Sequence, residues 1–394
     1  MRIASTNSSH GFTLIEMMIA LGVGLLVLGA AVELFTKSVN ATWIVSQKSE
    51  LQQDARAASN LLIKDISLAG AGLPTGGVGL PPQNGPNGTG TLQLFGCGYI
   101  GPPCFLGPNN NAAGVYPTQT SQGVVTPYLY GLIPGCQAGI TIAGNLTPTD
   151  TITIVYSDNV FPLSDYSTVT INGAGTSAQF TTVNPADAPV NSATVGLQNG
   201  DLVLFQSTLN SASGATTGYA IAEVTNPLIT GAGLGPYSVS FAAGDPSKFN
   251  WPTAPSGNLT SLVGGSNTTA TRIWVITYYL KMTPDPLGAG AGIPTLMRQV
   301  NGRTPVPVAE NTINLQFTYD TYDASGNLLS ASCDAGQSVG TLPSQIRTIN
   351  LAHLTMRNQL AGVNTSMAQT RGYQGVDFQT SISARNLSFS QQYQ

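Results

Sequence analysis

The chain opens with polar residues, Met1 to Gly11, and then turns apolar: from Phe12 to Val32 only Glu16 carries a charge. That run is close to the roughly 20 residues a helix needs to cross the hydrocarbon core of a bilayer. Beyond it the pattern becomes amphipathic. Leu51, Ala55, Ala58, Leu62 and Ile66 recur at three- and four-residue intervals, which places them on one helix face. No proline interrupts the stretch from Phe12 to Ala71, and "LAGAGLPTGG" supplies Gly70, Gly72 and Pro74 to end the helix. The spacing predicts one helix over 12–69, about 85 Å long at 1.5 Å per residue, with 12–33 as its transmembrane half.

Residues 70–145 are dense in Gly, Pro and Asn and predict an irregular region. From 146 to 394 the pattern alternates and is rich in β-branched residues. It predicts short strands at 151–156, 201–205, 219–224 and 237–241, and longer ones at 272–281, 313–320, 346–357 and 376–389. Strands separated by turn clusters, following a half-amphipathic helix, predict an α+β fold in which an antiparallel sheet covers the amphipathic half of the helix.

Charged residues make up only 8% of the chain, with 45 glycines and 25 prolines. Disorder is not implied, because hydrophobic residues reach 42% and the net charge is only -4. Between Asp65 and Thr271 the only cation is Lys248, so this half cannot neutralise a row of phosphates, and no direct nucleic-acid binding is expected. The sequence holds no HExxH, P-loop or CxxC pattern. His353 stands alone on a strand, where histidines usually pack or face solvent, and neither an enzyme nor a cofactor is expected.

Four cysteines, Cys97, Cys104, Cys136 and Cys333, lack zinc spacing. Outside the cytoplasm they would pair, the shortest loop joining Cys97 to Cys104 and leaving Cys136 with Cys333; buried free thiols are the alternative. Asp320, Asp323, Ser325 and Asn327 in "YDTYDASGN" offer oxygen ligands of the kind Ca²⁺ prefers, but the stretch lacks a closing glutamate and reads equally as a hairpin turn.

The polar residues precede the apolar run, unlike a secretory signal peptide, which places its cleavage site after it. Arg2 and the α-amine favour a helix inserted with Met1 on the cytoplasmic side. Within lipid, Glu16 either snorkels to the headgroups or meets a partner. Gly22, Gly24 and Gly29 either loosen the helix or let another helix approach closely.

The segment Gly11-Phe12-Thr13-Leu14-Ile15-Glu16 resembles the prepilin signature of type IV pilins and type II secretion pseudopilins. The resemblance implies a leader, 1–11, removed after Gly11 by a prepilin peptidase that also methylates the new N-terminus, Phe12. It further implies a pilin-like fold with long irregular loops, residence in the inner membrane before assembly, and contacts with major and minor pilins through the helix. Glu16 would then meet the N-terminal amine of a neighbouring subunit, an attraction that is strong where the dielectric is low. "LMRQVNGRTPVPVAENTINLQFTYDTYDASGN" and "FQTSISARNLSF" resemble the larger minor pilins of the PilW kind and, more distantly, J-type pseudopilins. The expectation is a minor pilin of an initiating or tip complex. The alternatives are a minor pseudopilin or a membrane-anchored extracellular binding module.

Overall fold

The computed structural model describes residues 13–81, 117–121, 124–142, 147–161, 163, 168–182, 189–211, 214–230, 235–245, 249–251, 253, 257–284, 292–333, 342–359 and 373–388. The chain divides into two compact units, Met1–Gln53 with Asn358–Gln374, and Asp54–Arg357 with Gly375–Gln394. A single helix, α1 (Leu14–Ser67), begins in the first unit and ends in the second.

In the first unit α1 is long and apolar enough to cross a membrane. Its large side chains from Leu14 to Phe35 all lie exposed on the protomer. In the second unit Ala55, Ala58, Leu62 and Ile66 are buried, as their spacing requires. The helix stops where Gly70 takes φ +78°, a left-handed backbone that side chains resist. From there Gly70 N donates to the carbonyl of Val155, which ties the helix end to the sheet.

The strands follow in chain order. The first seven are β1 (Val78–Gly79), β2 (Thr118–Ser121), β3 (Val124–Leu129), β4 (Leu132–Gly135), β5 (Thr151–Ser157), β6 (Thr168–Ile171) and β7 (Ser177–Thr181). Next come β8 (Leu202–Ser211), β9 (Gly214–Glu223), β10 (Asn226–Thr230), β11 (Tyr237–Ser240), β12 (Ser266–Thr283), β13 (Ile293–Val300) and β14 (Val306–Glu310). The last four are β15 (Thr312–Tyr322), β16 (Leu328–Ser332), β17 (Ile346–Gln359) and β18 (Tyr373–Ser383). A short helix, α2 (Arg385–Ser388), follows.

The long strand β12 organises the second unit. Its first half pairs with β8, its middle with β5 and its second half with β13, all antiparallel. The resulting seven-stranded sheet runs β14-β13-β12-β5-β4, with β8 and β9 joined through β12. A separate four-stranded sheet runs β16-β15-β17-β18. Its strand β15 alternates cleanly, burying Leu315, Phe317, Tyr319 and Thr321.

Strands β5 and β12 are neighbours in the sheet, yet β6 to β11 lie between them in the chain. This insertion has a core of its own. Alternate residues of β8, β9 and β12 face opposite ways: Val203, Phe205, Ala222 and Ala270 pack with Phe161, Phe180 and Phe241 of the insertion. Leu204, Ile221, Ile273 and Val275 pack instead with Val78, Leu129, Tyr130 and Ile133. Two-residue periodicity thus makes one sheet the wall between two cores. Each buried Phe or Leu there contributes about 1.5–3 kcal/mol.

Arg272 sits at the foot of the insertion, buried. Its Nε donates to Asp158 Oδ2 at 2.7 Å, and its guanidinium lies 5.3 Å from the Phe161 ring centroid and 4.9 Å from that of Trp274.

Two expectations are corrected. Within 70–145, expected to be irregular, the described residues include β1 to β4. Prolines at 127 and 134 mask the strands in the sequence; among the described residues β4 pairs only with β5, and an edge strand tolerates Pro134, while Pro127 lies in β3, between β1 and β2. Leu129, Leu132 and Ile133 supply the burial that fixes them. The last strand, expected to reach Phe389, ends at Ser383, where Ala384 N bonds to Arg347 O and the chain turns into α2.

Candidate functional site

The N-terminal end of α1 carries the local chemistry. Gly11 and Phe12 lie outside the described residues. Thr13 stands just before the first helical residue, and Glu16 N donates to Thr13 Oγ1 at 3.3 Å. In return Glu16 Oε2 accepts from Thr13 N at 3.0 Å and from Thr13 Oγ1 at 3.0 Å. This is a capping box: two N–H groups that a helix start leaves unpaired are satisfied reciprocally. In the protomer, then, the carboxylate is occupied by its own chain. The T-x-x-E signal for this arrangement stands in the sequence.

Further along, a methyl built on Gly22, Gly24 or Gly29 would meet nothing within 4 Å. No contact among the described residues therefore requires glycine at these positions. Glu33 and Lys37 form an exposed i,i+4 ion pair at the end of the apolar run, and Trp43 lies exposed one further turn and a half along.

At the other end of α1, Asp65 is the buried carboxylate of the packed face. It accepts from Tyr278 Oη at 2.7 Å and from Arg298 Nε at 2.8 Å. Tyr278 and Arg298 stand directly opposite each other on β12 and β13, so a single cross-strand pair receives the helix. Burial first, and then the Asp65 charge, hold the Tyr278 hydroxyl well above its ordinary range. The same two causes push neighbouring Tyr156 up to about 12. Nothing in the local sequence signals this joint, because its partners are more than two hundred residues apart.

Cys136, just after β4, and Cys333, just after β16, form a disulfide with Cα atoms 5.4 Å apart. Cys97 and Cys104 lie outside the described residues. Beside the disulfide, Asp150 is buried and accepts from Gln137 N and Phe317 N, each at 2.7 Å. Burial pushes its carboxyl up to about 6. Cys136, Asp150 and Cys333 are the one group of three potential metal-ligating side chains found among the described residues, and its two sulfurs are bonded to each other.

The oxygen-rich stretch after β15 is a hairpin turn. Asp323 Oδ1 accepts from Asn327 N at 2.7 Å and Oδ2 from Asn327 Nδ2 at 2.9 Å, and Gly326 takes φ +83°. The Asn327 side chain, then its backbone, hold the Asp323 carboxyl below the usual range. Asp320 turns instead to Asn350, whose Nδ2 lies 3.2 Å from its Oδ1. Asp323 is thus committed to shaping the turn, with Ser325 and Asn327 inside it. His353 is not isolated: its Nδ1 lies 2.9 Å from Asp377 Oδ2, and Thr355 and Gln379 also donate to that carboxylate. The group is an exposed cross-strand brace.

The model of the prokaryotic N-terminal methylation motif matches residues 6–32. No curated protein and no solved structure matches the chain significantly. In its methylation motif, its helix long and apolar enough to cross a membrane, and its antiparallel β domain, the chain is pilin- or pseudopilin-like.

Proposed function

We propose that the chain is a minor pilin, a structural subunit of a type IV pilus and not an enzyme, of the PilW kind and placed in an initiating or tip complex. A prepilin peptidase cleaves it after Gly11 and methylates Phe12. Before assembly it is held in the inner membrane by α1 with its β domain outside the cytoplasm, and afterwards it stands in the filament.

The observation that carries this reading is the methylation motif over 6–32, set in register on a helix whose large apolar side chains from Leu14 to Phe35 lie exposed. Such a surface suits lipid first and neighbouring helices afterwards. Gly22, Gly24 and Gly29, which no contact among the described residues requires, would let those neighbours approach closely. Glu16 holds the helix start through Thr13 until a neighbour's amine takes the carboxylate over. The insertion, with its own core, makes the subunit larger than a repeating one needs, which favours a tip position.

The motif is shared with pseudopilins, so a minor pseudopilin of a type II secretion system is the companion reading. N-terminal sequencing and mass spectrometry of the protein from sheared filaments test the proposal. A mature chain beginning at methylated Phe12 in the filament fraction is expected. An uncut chain confined to inner membranes would instead mark a membrane-anchored binding module.

A further inference from the structure

The disulfide between Cys136 and Cys333 links two sheets through residues 197 apart in sequence. Both cysteines are partly exposed, so a small reactant can reach them. What sets the site apart is its third member. The two sulfurs and a carboxylate oxygen of Asp150 all lie within 4.8 Å of one another, while Asp150 itself is only 1% exposed. Among the described residues no salt bridge reaches this carboxylate. Its bonds come from two backbone N–H groups, Gln137 and Phe317.

A second observation belongs to the same spot. Tyr319 is fully buried on β15, its hydroxyl has no hydrogen-bond partner among the described residues, and burial first, then the Asp150 charge, keep that hydroxyl protonated. Among the described residues, Tyr319 and, once reduced, the two cysteines are the titratable groups facing Asp150. None of them can neutralise it. A buried carboxylate without a countercharge is costly, and such groups cluster where a proton must be transferred.

Thiol–disulfide exchange supplies that work. The thiolate is the attacking species, and a thiol with an ordinary pKa of about 8.5 is only a few per cent ionised at neutral pH. A carboxylate whose affinity for protons is raised by burial is a better acceptor than one in water.

We infer that Asp150 is the proton acceptor that activates this cysteine pair, so that the covalent link between the sheets is made and broken by exchange within the folded domain. In the making direction, Asp150 takes the proton of one thiol, and the thiolate attacks a sulfur of a partner disulfide, expelling one partner thiolate. The remaining cysteine loses its proton and attacks the mixed disulfide, forming the internal S–S bond and expelling the second partner thiolate. Two electrons pass to the partner, which leaves as two thiols after taking up two protons. In the breaking direction the protonated carboxyl delivers its proton to the departing cysteine sulfur. The partner is a disulfide or dithiol of any scaffold with access to the domain surface.

The test uses the full chain in detergent micelles, reduced with dithiothreitol and reoxidised with oxidised glutathione at a series of pH values. Alkylation and peptide mapping follow Cys136 and Cys333 specifically, and near-UV circular dichroism follows the fold of the reduced protein. Reoxidation of the wild type should begin to rise near pH 6, below the ordinary thiol range. Asp150→Asn should slow it at least about tenfold at pH 7, the low end of general-base catalysis being larger still. The variant's profile should follow thiol ionisation alone. Should Asp150→Asn fail to fold, the wild-type profile decides: a rate that tracks only an ordinary thiol pKa overturns the inference. So does an unfolded reduced domain, or a variant as fast as wild type.

Discussion

Removing the Asp65 carboxylate should loosen the helix from its sheet by an amount the geometry lets one estimate. Asp65→Ala leaves the Tyr278 hydroxyl, buried on β12, without its acceptor, and leaves the Arg298 guanidinium without its carboxylate. A hydrogen bond to a charged group contributes about 1.5–3 kcal/mol. Breaking a buried ion pair costs about 3–5 kcal/mol, but the Arg298 side chain is 25% exposed and water recovers part of its charge. The expected loss is about 4 kcal/mol. Tyr278→Phe, which removes only one donor, should cost about 2 kcal/mol. Because both changes delete the same bond, the double variant should fall short of additivity by about 1.5 kcal/mol. Urea unfolding of the full chain in detergent, followed by tryptophan fluorescence, measures all three. A loss below about 1 kcal/mol for Asp65→Ala, or strictly additive effects, would refute the joint as the helix's anchor.

Three further outcomes follow from named contacts. The Asp150 carboxyl is raised from 3.8 to about 6 in the folded state, so its contribution is fully present below about pH 3.8 and is lost as pH rises through about 6. At 1.36 kcal/mol per unit this is roughly 3 kcal/mol; urea midpoints from pH 4 to 7 should therefore drift in favour of Asp150→Asn relative to wild type. Replacing Cys136 and Cys333 by serine should cost about 2–5 kcal/mol, since the link closes a very long loop in the unfolded chain; an unchanged melting temperature would contradict it. Glu16→Gln keeps an oxygen for the Thr13 cap but removes the charge, so it should be processed normally yet be missing from sheared filaments; equal incorporation would leave Glu16 a helix cap only.

The long helix and most strands are legible because each depends on a repeating pattern. Leu51 to Ile66 repeat with the helix period, and Leu315, Phe317 and Tyr319 repeat with the strand period. Strands β3 and β4 escape this reading because Pro127 and Pro134 look like breakers; Pro134 lies on the edge strand β4, whereas Pro127 lies on β3, between β1 and β2. The Thr13 to Glu16 box is visible as T-x-x-E, yet a pattern reading is dominated by the cost of a carboxylate in lipid. Long-range pairings leave no local trace. Neither the adjacency of β5 and β12 across the insertion nor the meeting of Asp65 with Tyr278 and Arg298 could be inferred from spacing.

These pairings explain what so few charges are for. In the second unit Asp65 meets Arg298, Asp158 meets Arg272, and Asp201 meets both Arg272 and Arg303. In each, the acid is buried and the partners come from distant parts of the chain. Such pairs add little net stability over well-packed apolar groups, but a mismatched arrangement would strand a buried charge at a cost of several kcal/mol. Asp158 and Arg272 stand where the insertion leaves β5 and rejoins β12, and Asp65 and Arg298 stand where the helix meets the sheet. The scarce charges thus select one register at each junction between modules, while serine, threonine, asparagine and glutamine supply much of the outer polarity. From Asp158 to Arg272 the chain still holds six acids against two cations, so the field this part of the sequence creates is negative.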